Sequence, residues 1–210
     1  MAFVLGGLMY PIPCFYNTII NKIAAQSITL QPIGIALKGS SKKLAYAVSP
    51  EGADIYDITF EANTPDSVSV NKDGEISFIS EGYFSILMTA KTVGDITLSD
   101  VITGNVEELR LDVDPIGNRS IGDRFWFVYR GDPSFDPGNP SPNMVGFDVF
   151  PPEIMEEDDF SVYGFAETPN IISMAPSGIF TCISSGEAQC GLKGTYKDVS
   201  ATHKETVTVV

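Results

Sequence analysis

Apolar and polar residues alternate with a period of two along most of this chain. In "SVSVNKDGEISFIS", residues 67–80, Val68 and Val70 alternate with serines, then Ile76 and Phe78 alternate with polar neighbours. That is the pattern of strands with one buried face. Between the two runs, Asp73-Gly74 supplies a tight turn, because glycine accepts the positive φ that other residues resist. Gly82 closes a second turn, and Phe84, Ile86 and Met88 carry the alternation into a further strand.

The same phrase returns 104 residues later without a gap. Thr64-Pro65 recurs as Thr168-Pro169, Ser69 as Ser173, Gly74 as Gly178, Ile79-Ser80 as Ile183-Ser184 and Gly82 as Gly186. Apolar positions follow: Val68 with Ile172, Val70 with Met174, Ile76 with Phe180. Seven identities in one ungapped register mark an internal duplication rather than two unrelated hairpins. Upstream, "SITLQP" (27–32) and "LRLDVDP" (109–115) are short strands ended by proline, which donates nothing to a ladder. "KKLAYAVSP" (42–50) and "RFWFVYRGDP" (124–133) read as the central strands that follow. The second unit is about twenty residues longer, and the excess sits in the Pro- and Gly-rich loop "GDPSFDPGNPSPN". Only "FYNTIINKIAAQ" (15–26) carries a helical period, with Ile19, Ile20 and Ile23 on one face. The junction between units is expected near residues 103–109.

These residues carry a resemblance. Strand-Pro, a central strand ending in Ser-Pro, an aromatic strand before Thr-Pro, then "SVSVNKDGEISFISEGYFSILMTAK" or "IISMAPSGIFTCISSGEAQCGLKGTYKD" with its closing "ETVTVV", resemble the bacterial immunoglobulin-like group 2 domain. The likeness spans residues 27–105 and 106–210 as two tandem domains. It implies an all-β fold of two Ig-like β-sandwiches of about seven strands each. The tryptophan usual in that family before Thr-Pro is replaced by Phe60 in the first unit. Its ungapped counterpart in the second is Gly164, flanked by Tyr163 and Phe165.

The N-terminal segment, "MAFVLGGLMYPIPCFYNTIINKIAAQ" (1–26), breaks the alternating pattern. Its large side chains include Phe3, Leu5, Leu8, Tyr10, Phe15, Tyr16, Ile19, Ile20 and Ile23, against the single charge of Lys22. Ala24-Ala25 would suit a signal-peptidase site, yet a basic n-region is missing and Pro11 and Pro13 interrupt the apolar run. The segment therefore reads as a retained docking arm, too short and broken to span a bilayer. Large apolar side chains in such number call for a protein partner.

Charge narrows the partners further. The formal net charge of −14 opposes binding to nucleic-acid phosphates, and both units are acidic. Three cysteines form no disulfide framework and lack zinc spacing, so reduced thiols are expected. Cys182 and Cys190 stand where the first unit has Phe78 and Ile86, which marks them as core thiols facing each other across the second hairpin. Trp126 reads as core within the doubly apolar "FWFVY" run. The one histidine, His203, has no nucleophile elbow beside it and reads as an exposed strand-edge residue. "EIMEEDDF" (153–160) and "EGADIYD" (51–57) lack calcium-loop spacing and read as solvated loops. No catalytic residue, metal site or cofactor is expected.

The resemblance implies two contexts, surface adhesins and head or tail components of tailed bacteriophages. A retained apolar arm on acidic domains favours the virion: an auxiliary capsid (decoration) or head-fibre protein, in many copies or as a homo-oligomer, assembled in the host cytoplasm. Its arm would dock on major capsid or neck and tail subunits. A tail-associated protein follows closely, and the alternative is an adhesin or carbohydrate-binding module taking a host-surface glycan.

Overall fold

A computed structural model describes residues 22–136 and 141–210. In chain order the first unit holds β1 (Ser27–Leu30), β2 (Ala36–Leu37), β3 (Ser41–Lys43), β4 (Tyr46–Ser49), β5 (Ile55–Ala62), β6 (Val68–Val70), β7 (Glu75–Phe78), β8 (Gly82–Thr92) and β9 (Ile96–Glu107). The second holds β10 (Arg110–Val113), β11 (Arg124–Tyr129), β12 (Met144–Phe150), a 3₁₀ turn at Pro152–Glu156, β13 (Phe160–Ala166), β14 (Ile172–Met174), β15 (Phe180–Cys182), β16 (Gly186–Tyr196) and β17 (Val199–Val209). Alternation is cleanest where a strand faces its own core. Phe84, Ile86, Met88 and Ala90 of β8 are buried, as are Ala188, Cys190 and Leu192 of β16.

Each unit is a sandwich. In the first, β1-β4 and β3-β7-β6 face the sheet β2-β9-β8-β5; in the second, β10-β12-β11-β15-β14 faces β13-β16-β17. The duplication extends to the pairing register. Val68 pairs with Phe78 and Ile172 with Cys182; Phe60 pairs with Met88 and Gly164 with Leu192. All keep the 104-residue offset. The last strand of each unit also takes a parallel partner, Ala36–Leu37 on Val106–Glu107 and Arg119 on Val209.

The insertion falls inside one strand position. Lys42 opposite Ile76 corresponds to Phe125 opposite Phe180, an offset of 83. Tyr46 opposite Leu30 corresponds to Phe147 opposite Val113, an offset of 101. The difference, 18 residues, therefore enters between Phe125 and Phe147. In the first unit β3 and β4 are nearly continuous, separated by Leu44-Ala45. In the second their counterparts lie side by side as a parallel pair, Trp126 opposite Met144 through Tyr129 opposite Phe147. So "RFWFVY" matches only the first half of "KKLAYAVSP", and Met144–Phe150 matches the rest. Arg130 pins the start of the inserted loop: its guanidinium reaches Asp114 at 2.6 Å, Asp148 at 2.5 Å and Asp112 at 3.6 Å. The hydrogen bonds it donates to Asp114 and then Asp148 hold it firmly charged against the cost of burial.

Several expectations need correction. Trp126 is half-buried on the outer side of β11, whereas Phe125 is fully buried and stacks on Phe180 at 5.0 Å. Cys182 and Cys190 are both buried and unbonded, but they lie on opposing sheets (β15 and β16) and meet across the sandwich rather than across a hairpin. Turns after Phe78 and Cys182 carry the chain from one sheet to the other, because Gly82 and Gly186 begin strands that pair elsewhere. The helical period over 15–26 ends in extended backbone: Ala24 bridges Asp54, Ala25 is buried and its amide donates to Thr92 Oγ1 at 2.7 Å. Residues 15–21 lie outside the described residues.

Two apolar clusters form the cores. The first gathers Val68, Ile76, Phe78, Phe84, Ile86 and Met88; the second gathers Phe125, Val145, Ile172, Phe180, Cys190 and Leu192. Leu37 is fully buried and belongs to the second cluster although β2 lies in the first unit, and Leu109 joins it there. Only Glu108 and Leu109 separate β9 from β10.

Candidate functional site

Among the arm residues, Phe3, Leu5, Leu8, Tyr10, Phe15, Tyr16, Ile19 and Ile20 lie outside the described residues. Ile23 is described, and its side chain is exposed. Its amide donates to Asp54 Oδ2 at 2.9 Å and its carbonyl accepts from the Asp54 amide at 2.8 Å. Backbone pairing therefore ties the root of the segment to the first sandwich, at the end where Thr92 and Ile96 turn β8 into β9.

The four turn glycines all have left-handed φ: 76° at Gly74, 80° at Gly178, 128° at Gly82 and 137° at Gly186. The side chains around the first pair differ. A Cβ on Gly74 would lie 3.0 Å from the Phe60 ring, whereas one on Gly178 would meet nothing within 4 Å.

Candidate chemistry elsewhere disperses on inspection. His203 is half-buried on β17, an edge strand, and its Nε2 has no hydrogen-bond partner among the described residues. In the run 153–160, Glu157 accepts from Tyr196 Oη at 3.1 Å and Asp159 faces Lys197 at 3.9 Å. Of "EGADIYD", Asp54 is taken by Ile23 and Asp57 by Lys91 at 3.3 Å. Among the described residues, no three His, Cys, Asp or Glu side chains gather to hold a metal ion, and no helix is long and apolar enough to cross a membrane.

What remains is a cleft in the second sandwich. It opens beside Gly164 and the Gly178 turn, with a volume of about 360 Å³. Phe127, Phe147 and Phe180 supply aromatic walls, with Met174 and the exposed Tyr163 at its border. A second hollow, at the same Gly178 turn, is lined by Trp126 and shares Phe127. The cause is local and legible in the repeat. Phe60 covers the Gly74 turn in the first unit; its counterpart Gly164 has no side chain to cover Gly178. The larger Phe180 in place of Ile76 takes part of the vacated room, since a Cβ on Gly164 would approach its ring to 2.7 Å. The rest stays open. Gly164 stood out in the sequence as a break in the repeat, but its consequence depends on side-chain volumes meeting across two sheets.

These features define a class: a tandem pair of Ig-like β-sandwiches with an aromatic cleft in the second and a paired root for an apolar N-terminal segment. No protein-family model and no curated protein sequence matches the chain. Solved structures with a similar arrangement include domains 4 and 5 of the S-layer protein SbsC (16% identity, TM-score 0.33, covering 89% of this chain and 98% of that one). Human protocadherin-24 EC1-2 is similar at 12% identity and TM-score 0.30, over 90% of this chain and 98% of that one. The C-terminal 282-residue fragment of intimin, in complex with the intimin-binding domain of its translocated receptor, is similar at 11% identity and TM-score 0.34, over 88% of this chain and 64% of that one.

Proposed function

We propose that this protein is a non-enzymatic structural component of a tailed-phage virion, an auxiliary capsid or head-fibre protein, anchored by its N-terminal segment to neighbouring subunits. One observation carries the reading. A segment of large apolar side chains with a single charge is joined to an acidic two-sandwich body in which each unit already has a core of its own. Burying even half of those side chains, at roughly 1.5–3 kcal/mol each, supplies ample association energy before ordering costs. The resemblance of both hairpin phrases to a domain family found in phage heads and tails supports the same context, as does the dispersal of titratable groups.

The segment is best removed before Ile23, because residues 23–26 belong to the packing of the first sandwich. A chain lacking residues 1–22 is expected to be soluble and folded and to be missing from purified particles by mass spectrometry. Incorporation at wild-type occupancy would overturn the reading. The half-buried Trp126 and exposed Tyr163 beside the cleft favour one second reading, a surface adhesin or carbohydrate-binding module. A glycan that changes Trp126 emission in the chain lacking residues 1–22 would support it.

A further inference from the structure

We propose that the cleft of the second sandwich is an acceptor site for aromatic side chains, and that its occupant is the Phe15–Tyr16 pair of a second copy of this chain. This deepens the docking reading above by naming the partner subunit, and it rests on that reading only for the segment's role as an anchor.

The duplication itself shows what the site accepts. In the first sandwich the equivalent space over the turn is filled by the chain's own phenyl ring, that of Phe60, which lies 3.0 Å from where a Cβ on Gly74 would stand. In the second, Gly164 removes that ring, and the walls left behind are three phenyl rings and a thioether. Rings of this kind favour offset or edge contacts with another aromatic group, and methionine sulfur packs well at a ring edge. The volume of about 360 Å³ exceeds what one missing phenyl ring leaves, so two adjacent rings suit it.

Charge selects the donor. A chain with formal net charge −14 repels copies of itself, yet no acidic residue precedes Glu51, and the first 26 residues carry only Lys22. Phe15-Tyr16 is the adjacent aromatic pair of that segment.

Geometry points to a second copy. The segment leaves the first sandwich at Ile23, beside Thr92 and Ile96, the end of β9 remote from the second sandwich. The twelve residues of β9 from there to Glu107 span about 40 Å. Phe15 lies eight residues before Ile23 and reaches at most about 28 Å. That reach is shorter than β9 itself, which the segment would have to run back along to meet its own cleft, so the contact we propose is head-to-tail between copies. Such an interface forms rings or open chains according to whether its rotation closes.

Two variants of the full-length chain test this. Gly164→Phe with Phe180→Ile transplants the Phe60/Ile76 pair of the first unit into the second and fills the cleft. Phe15→Ser with Tyr16→Ser removes the donor and alters no residue of either sandwich. The readouts are sedimentation and the emission of Trp126, the single tryptophan, which lines the neighbouring hollow. The unaltered chain is expected to self-associate with a blue shift of Trp126 emission. Each variant should weaken association at least about tenfold, a change of about 1.4 kcal/mol. Self-association that persists unchanged in the donor variant, or a parent chain that stays monomeric at its highest soluble concentration, overturns the proposal. Either failure leaves the segment's incorporation into particles separately measurable, so the anchoring reading stands or falls on its own deletion.

Discussion

At Gly74 a single added methyl group would meet two penalties; at Gly178 it would meet one. Both positions have left-handed φ, which costs a Cβ-bearing residue roughly 1–2 kcal/mol. Only at Gly74 does the Cβ also press on the Phe60 ring, at 3.0 Å. Gly178→Ala is therefore expected to cost about 1–2 kcal/mol and Gly74→Ala roughly 1 kcal/mol more by urea unfolding. Equal losses would mean that Phe60 yields freely. Cys190 offers a pH-dependent test. Burial, reinforced by Glu205 and Cys182, pushes its thiol up to about 12 from an ordinary 9.0. Between those values the folded chain keeps a proton that the unfolded chain has lost. Stability is thus fully present below pH 9.0 and falls as pH rises towards 12, by at most about 1.4 kcal/mol per pH unit. Cys190→Val should reduce that slope, leaving the smaller one from Cys182, whose thiol burial also raises, and in the parent protein both thiols should label only as fast as the fold opens. The core position of these thiols was legible because Phe78 and Ile86 mark it in the other unit. Trp126 was not, because in "FWFVY" every position is apolar and alternation then has no phase.

Strands and turns were the legible elements, since glycine at a turn and a period of two are local signals. The split of one strand position into β11 and β12 left no such signal. Parallel pairing across a 14-residue loop (130–143) is decided by how the loop returns, and Arg130 is the residue that holds its start. Replacing it with Met leaves Asp114 and Asp148 facing each other without their cation. Arg130→Met is expected to speed proteolysis within residues 131–143 severalfold while the cores remain resistant. An unchanged cleavage rate would show that the β11–β12 ladder alone secures the loop. The junction belongs to the same scale. The junction expected near 103–109 falls at Glu108-Leu109, within that range, although Thr103, Gly104 and Asn105 are paired inside β9 with Ser85, Phe84 and Tyr83. The aromatic cleft lay between these two cases, flagged by the Phe60-to-Gly164 break but given its shape only by the packing of β11, β13 and β15.

Across the whole molecule the two sandwiches share a side chain. Leu37 hangs from the first sheet and is buried in the second core, so Leu37→Ala should cost about 2–5 kcal/mol. Its distinctive outcome is a lower unfolding midpoint by Trp126 emission, a reporter seated in the second sandwich; no shift there would uncouple the pair. The paired terminal strands have a further consequence, for tension. A pull between Ile23 and Val210 meets, beyond β1 in the first sandwich and beyond β10 in the second, a parallel contact between the segment that follows and the last strand of that sandwich. In the first, the Lys38 amide donates to the Glu107 carbonyl at 2.8 Å; in the second, the amides of Arg119 and Val210 bind the Thr208 and Arg119 carbonyls at 2.9 and 2.8 Å. Strands that run parallel and are drawn from opposite ends slide along each other, so these bonds carry the load together in shear rather than opening one by one. Both sandwiches are thus clasped against stretching along the line that joins the root of the N-terminal segment to the last residue.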